Sequence, residues 1–73
     1  LPSLELAVTS AELEVRFAER ERQRLERLRG EGAVPERRVQ DATHAEEEAQ
    51  AALAAAKRRL EKFGRLQRTA GRG

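Results

Sequence analysis

The chain has 73 residues, no Cys, Met, Trp or Tyr, only two Phe, and a formal charge of +2 from 15 basic and 13 acidic side chains. A chain this short holds one small domain at most and buries little apolar surface, and without cysteine it has neither a disulfide framework nor a thiolate zinc site. No stretch approaches the roughly 20 apolar residues that span a bilayer, no signal peptide is visible, and the interleaved charges argue for solvated helix faces over the one-sided basic stripe of a nucleic-acid binder.

Ala, Leu, Glu, Arg and Gln dominate, and all are strong helix formers. At the N-terminus Pro2-Ser3 opens a helix with Ser3 as N-cap, and Thr9-Ser10-Ala11-Glu12 offers a second start as a capping box. The first helix then runs without Gly or Pro to Arg29, and Gly30 and Gly32 are expected to end it, because glycine takes the left-handed conformation cheaply. Ala33 and Val34 form an apolar tip, and Pro35 suits the first turn of a new helix, where no N–H is needed. The expected elements are helix 1 over about 4–29, a turn over 30–34, helix 2 over about 35–63 stopping at Gly64, and a frayed, linker-like tail over 64–73. At 1.5 Å per residue each helix would be about 40 Å long.

The apolar spacing predicts how the helices meet. Leu4, Val8, Ala11, Val15, Ala18, Arg22 and Leu25 alternate steps of four and three, which is a heptad seam. Val39, Ala42, Glu46, Ala49, Leu53, Ala56, Leu60 and Phe63 repeat it on the second helix. Folding the chain back at Gly32 places Leu4 by Leu60, Val8 by Ala56, Ala11 by Leu53, Val15 by Ala49 and Leu25 by Val39, so that large side chains face small ones. Two adjoining layers carry a polar residue, Ala18 with Glu46 and Arg22 with Ala42, and Arg22 and Glu46 are placed to pair. The predicted fold is all-α, two long helices in an antiparallel coiled-coil hairpin. A second, weaker stripe, Leu6, Leu13, Phe17 and Leu28, reads as flanking support of the seam or as a surface for a neighbouring copy or domain. The acidic run Glu46-Glu47-Glu48 is expected opposite Arg16 and Arg20 as cross-hairpin charge pairing.

Nothing in the sequence points to catalysis. His44 is the single histidine, whereas a metal or acid–base site needs several converging groups. The Ser and Thr residues have no His or Lys at a recognisable spacing, and Gly30-Glu31-Gly32 lacks the Walker pattern and a preceding strand. We therefore expect no enzyme activity, no cofactor and no metal. Arg16, Arg20, Arg22, Arg24, Arg27 and Arg29, with Arg37 and Arg38 beyond the turn, would suit phosphate. Glu19, Glu21, Glu26, Glu31 and Glu36 are interleaved with them, and no aromatic lies near to stack bases. Nucleic acid is therefore not an expected partner, and a basic nucleic-acid-associated hairpin stands only as an alternative, beside a generic coiled-coil spacer.

The segment from Arg24-Leu25-Glu26-Arg27-Leu28 through Gly32-Ala33-Val34-Pro35 to Asp41-Ala42 resembles the hairpin tip of periplasmic adaptor subunits (membrane fusion proteins, HlyD-like) of bacterial tripartite efflux pumps. The Ala-rich run Ala54-Ala55-Ala56-Lys57-Arg58-Arg59-Leu60 is similar to that family's second helix, and Pro2-Ser3-Leu4-Glu5-Leu6 resembles the entry found in heavy-metal pump adaptors. The resemblance implies a hairpin inserted in a lipoyl-like domain of a longer chain, which fits the abrupt start at Leu1. It also implies a tip that docks on a TolC-type outer-membrane channel, other adaptor copies arranged as a hexamer, and a link to an inner-membrane RND transporter of drug or heavy-metal efflux. The implied location is the periplasm of a Gram-negative bacterium, in association with the inner membrane. The family's tip pattern is Arg, Leu four later and Ser seven after that. Arg24 and Leu28 match and Pro35 stands at the Ser position, where it offers no hydroxyl to a partner. On this resemblance Arg24, Leu28, Ala33, Val34 and Pro35 are the expected partner-docking residues. A local alternative is that the apolar tip residues cap the hairpin end.

Overall fold

A computed structural model describes the backbone of residues 3–71 and the side chains of residues 3–66. It contains two antiparallel helices, α1 (Leu4–Gly30, 27 residues) and α2 (Glu36–Gly71, 36 residues), which pack along one another as the heptad pattern predicts. The rod measures 63 × 16 × 15 Å.

Of the two N-terminal start signals, α1 uses the first. The Ser3 backbone is extended and its hydroxyl accepts from the Leu6 N–H at 2.9 Å, which satisfies one of the donors left open at a helix start. Thr9 lies inside the helix, where its hydroxyl donates to the Glu5 carbonyl at 3.2 Å. The expected opening role of Pro2 lies outside the described residues.

At the other end the chain forms a Schellman motif. The Gly32 N–H donates to the Arg29 carbonyl at 2.9 Å and the Ala33 N–H to the Leu28 carbonyl at 2.8 Å. This closure requires a left-handed residue, and Gly32 supplies it with φ 76°. Gly30 does not share that role, contrary to expectation. It is the last residue of α1, and among the described residues Gly32 alone has a positive φ. Pro35 stands just before the first residue of α2, and its carbonyl accepts from the Arg38 N–H at 3.1 Å.

The seam is where the periodicity places it. Val15, Leu25, Val39, Ala42 and Ala56 are buried. Leu4, Val8, Ala11, Ala18, Ala49, Leu53 and Leu60 are half-buried, as edges of a two-helix layer must be. The best-covered part lies next to the turn, where Leu25, Val39 and Ala42 form one cluster.

The expected stop at Gly64 and the frayed tail are corrected by the structure: α2 continues to Gly71. A glycine inside a helix costs only about 1 kcal/mol relative to alanine, and good helix formers (Arg65, Leu66, Gln67 and Arg68) follow it. Arg65 also lies 3.9 Å from Glu61, one turn back. The last two residues of the expected tail lie outside the described residues. The longer α2 is why the rod exceeds the expected 40 Å. It also leaves Phe63 past the start of α1, so this last residue of the expected α2 seam is 48% exposed and adds little to it.

Candidate docking tip

The Schellman closure decides which tip side chains face out. Leu28 and Val34 lie on either side of Gly32 and are half-buried, packed against the Leu25–Val39–Ala42 cluster. An intramolecular role therefore exists for both: they close the apolar end of the hairpin. Ala33 and Pro35 are exposed. Below them Arg29 reaches across the turn, its Nη1 donating to both carboxylate oxygens of Glu36 at 2.8 and 3.0 Å. Residue spacing alone does not single out this clasp, although the two positions are nearly symmetric about Gly32.

Arg24 sits two turns below the tip and half exposed, its Nε donating to Glu21 Oε1 at 2.6 Å. That bond holds the Glu21 carboxyl below its ordinary pKa, and the same bond raises Arg24 above its own. The five expected tip residues thus divide into three groups. Ala33 and Pro35 point to solvent, Leu28 and Val34 are shared between solvent and core, and Arg24 stands apart in an intrahelical ion pair.

Farther down, Arg22 Nε donates to Glu46 Oε1 at 2.6 Å, the cross-hairpin pair that the polar layers predict. Arg22 also bonds Glu26 on its own helix. The Glu46 bond is the main reason its guanidinium is held above its ordinary pKa. The expected pairing of residues 46–48 with Arg16 and Arg20 is not what forms: Glu46 takes Arg22, and Glu48 lies 2.8 Å from His44 Nε2. The Arg22 side chain spans one helical turn along the seam to reach Glu46, and Glu48 has His44 one turn back on its own helix. His44 is 74% exposed. Among the described residues no three His, Cys, Asp or Glu side chains converge on a point that could hold a metal ion, and no helix is long and apolar enough to cross a membrane.

Beside the seam, Leu6, Leu13 and Phe17 of α1 stay exposed at 54, 57 and 71%. Phe17 forms one wall of an open groove that is floored by Ala18, Ala42, Ala45 and Ala49 and edged on the α1 side by Glu14 and Glu21. Sequence spacing identified this stripe on α1, while its alanine-lined counterpart on α2 was missed because alanine reads as seam or as filler.

No family model matches the chain, no curated protein matches it, and no solved structure matches it.

Proposed function

We propose that this chain is the helical hairpin of an efflux-pump periplasmic adaptor, docking its tip on a TolC-type outer-membrane channel and helping to bridge that channel to an inner-membrane RND transporter. The observation that carries the reading is the end of the rod. A 63 Å rod closes in an apolar point, with Ala33 exposed and Leu28 and Val34 half-exposed. Arg24 is exposed two turns below, at the position that resembles the family's tip arginine. Apolar groups at the far end of an otherwise charged rod suit a contact made end-on. Pro35 keeps the entry to α2 but offers no hydroxyl, so the contact here is apolar with an arginine rim. In this reading further adaptor copies stand around the channel, in the periplasm.

The test is capture of purified TolC-type channel protein by the immobilised chain. Leu28→Asp also disturbs the core it packs on, so the informative variants are Ala33→Asp and Arg24→Glu, both at exposed positions. Loss of capture with unchanged helix content supports the reading. Capture that both variants leave intact overturns tip docking.

A further inference from the structure

The exposed face beside the seam carries a large side chain and a cavity of matching kind at the same height. Phe17 projects from α1, 71% exposed, and forms one wall of a groove floored by Ala18, Ala42, Ala45 and Ala49, with Glu14 and Glu21 at its α1 edge. We propose that this face binds a second copy of the same chain in a closed twofold pair, with both tips pointing the same way and each Phe17 seated in the other copy's alanine groove.

Three observations select that occupant. The first is self-complementarity: knob and groove sit on one face, which is the requirement for an isologous contact that closes at two copies. The second is orientation. A twofold axis along the rod sets α1 of one copy against α2 of the other at equal height, which brings Phe17 to Ala45 and Ala49, and Leu13 to Ala52. An axis across the rod sets α1 against α1 and leaves both alanine stripes without a large partner. The third is charge. Toward the tip the α1 stripe continues with Arg20 and Arg24; on the α2 stripe Asp41 is level with Arg24, and Glu48 lies about one helical turn from the level of Arg20, all exposed. Only the tips-together arrangement brings those opposite charges together. Arg24 and Glu48 now pair within their own helices, with Glu21 and His44, and exposed pairs of that kind exchange at little cost.

The area suffices. Only the stretch where α1 and α2 run side by side takes part, and a face about 40 Å long and 16 Å wide offers on the order of 600 Å² per copy, near the low end for a specific interface. The product is a four-helix bundle with large residues against small ones. The pairing does not depend on the docking function, since a rod without a tip partner carries the same face.

Sedimentation equilibrium of the 73-residue chain tests it, together with Phe17→Lys and Ala45→Glu, which strike opposite halves of the contact at exposed positions. The expected result is a dimer at micromolar to millimolar concentration. Each variant should raise the dissociation constant by roughly ten-fold or more, as for a central aromatic anchor, with helix content unchanged. Because the chain has no cysteine, a spin label on Glu31→Cys reports orientation, and the two labels should lie within the width of two rods. A monomer at every concentration, a dimer indifferent to both variants, or labels separated by most of the rod's length would each overturn the proposal.

Discussion

Arg22 Nε donates to Glu46 Oε1 at 2.6 Å across the hairpin, in the stretch of seam that has no large apolar side chain. The Glu46 side chain is only 13% exposed. Removing one partner of such a pair leaves a mostly covered charge without compensation, whereas replacing both with apolar groups of similar size is often neutral or stabilising. Arg22→Leu should therefore lower the thermal midpoint by several degrees, and Arg22→Leu with Glu46→Leu should restore or raise it. A single polar layer also specifies the alignment of two helices. The double variant should accordingly show more than one set of amide resonances in its NMR spectrum, from hairpins slipped by a heptad. Thermal melts and one heteronuclear spectrum of each variant check both statements.

The two glycines of the turn should respond to alanine with opposite signs. Gly32 holds φ 76°, so although a Cβ there would meet no atom, the left-handed backbone itself is strained for alanine. Gly32→Ala should cost about 1 kcal/mol. Gly30 is helical with equally open space around it, and Gly30→Ala should stabilise by about 0.5–1 kcal/mol through its better helix propensity. Urea unfolding followed by circular dichroism measures both, and a loss at Gly30 as large as that at Gly32 would refute the assignment of the turn.

Ser3 and Thr9 compete as start signals, and their truncation separates them. Ser3→Ala removes the acceptor of the Leu6 N–H and should cost about 1 kcal/mol. Thr9→Ala removes only a hydroxyl bonded to a carbonyl that already belongs to the helix. Alanine has the higher helix propensity, so this change should be neutral or slightly stabilising. Amide hydrogen exchange over the first two turns of α1 should quicken for Ser3→Ala alone.

Glu21 provides a pH-dependent reading of the tip region. The Arg24 hydrogen bond lowers its pKa from the ordinary 4.5. A carboxyl with a depressed folded-state pKa contributes stability that is present above its unfolded value and lost as pH falls through the folded one. Both side chains are largely in water, so the effect on global unfolding should be small. Carboxyl carbon NMR should give Glu21 a midpoint below 4.5 that returns toward the ordinary value in Arg24→Ala. An unchanged midpoint in that variant would show that the pair does not persist in solution.

The hairpin was legible in the chain because two heptad stripes share a centre with Gly32, and a wrong register would have put Leu25 and Val39 in water instead of together in the core. The Arg22–Glu46 bond was legible for the same reason, since an interrupted seam has only one nearby way to satisfy its polar groups. The end of α2 was not: Gly64 reads as a stop, but a local propensity of about 1 kcal/mol yields to the favourable residues on both sides. The further pairing of the acidic run with Arg16 and Arg20 does not form, because Glu46 is taken by Arg22 and Glu48 finds His44 one turn away on its own helix. For Leu28 and Val34 the sequence left docking and local capping of the hairpin end both open, and the folded turn shows them resting on the buried cluster.

Composition, period and the place of one glycine determined by themselves that this chain is two antiparallel helices meeting along a named seam, since helical periodicity and chain reversal are local properties that side-chain order dictates. The tertiary structure alone decided which of two caps begins α1, how far α2 outruns its partner, which tip residues are shared with the core, and that an alanine groove stands beside Phe17. Those outcomes depend on which atoms come within reach across the hairpin, a quantity that no spacing along one strand of sequence contains.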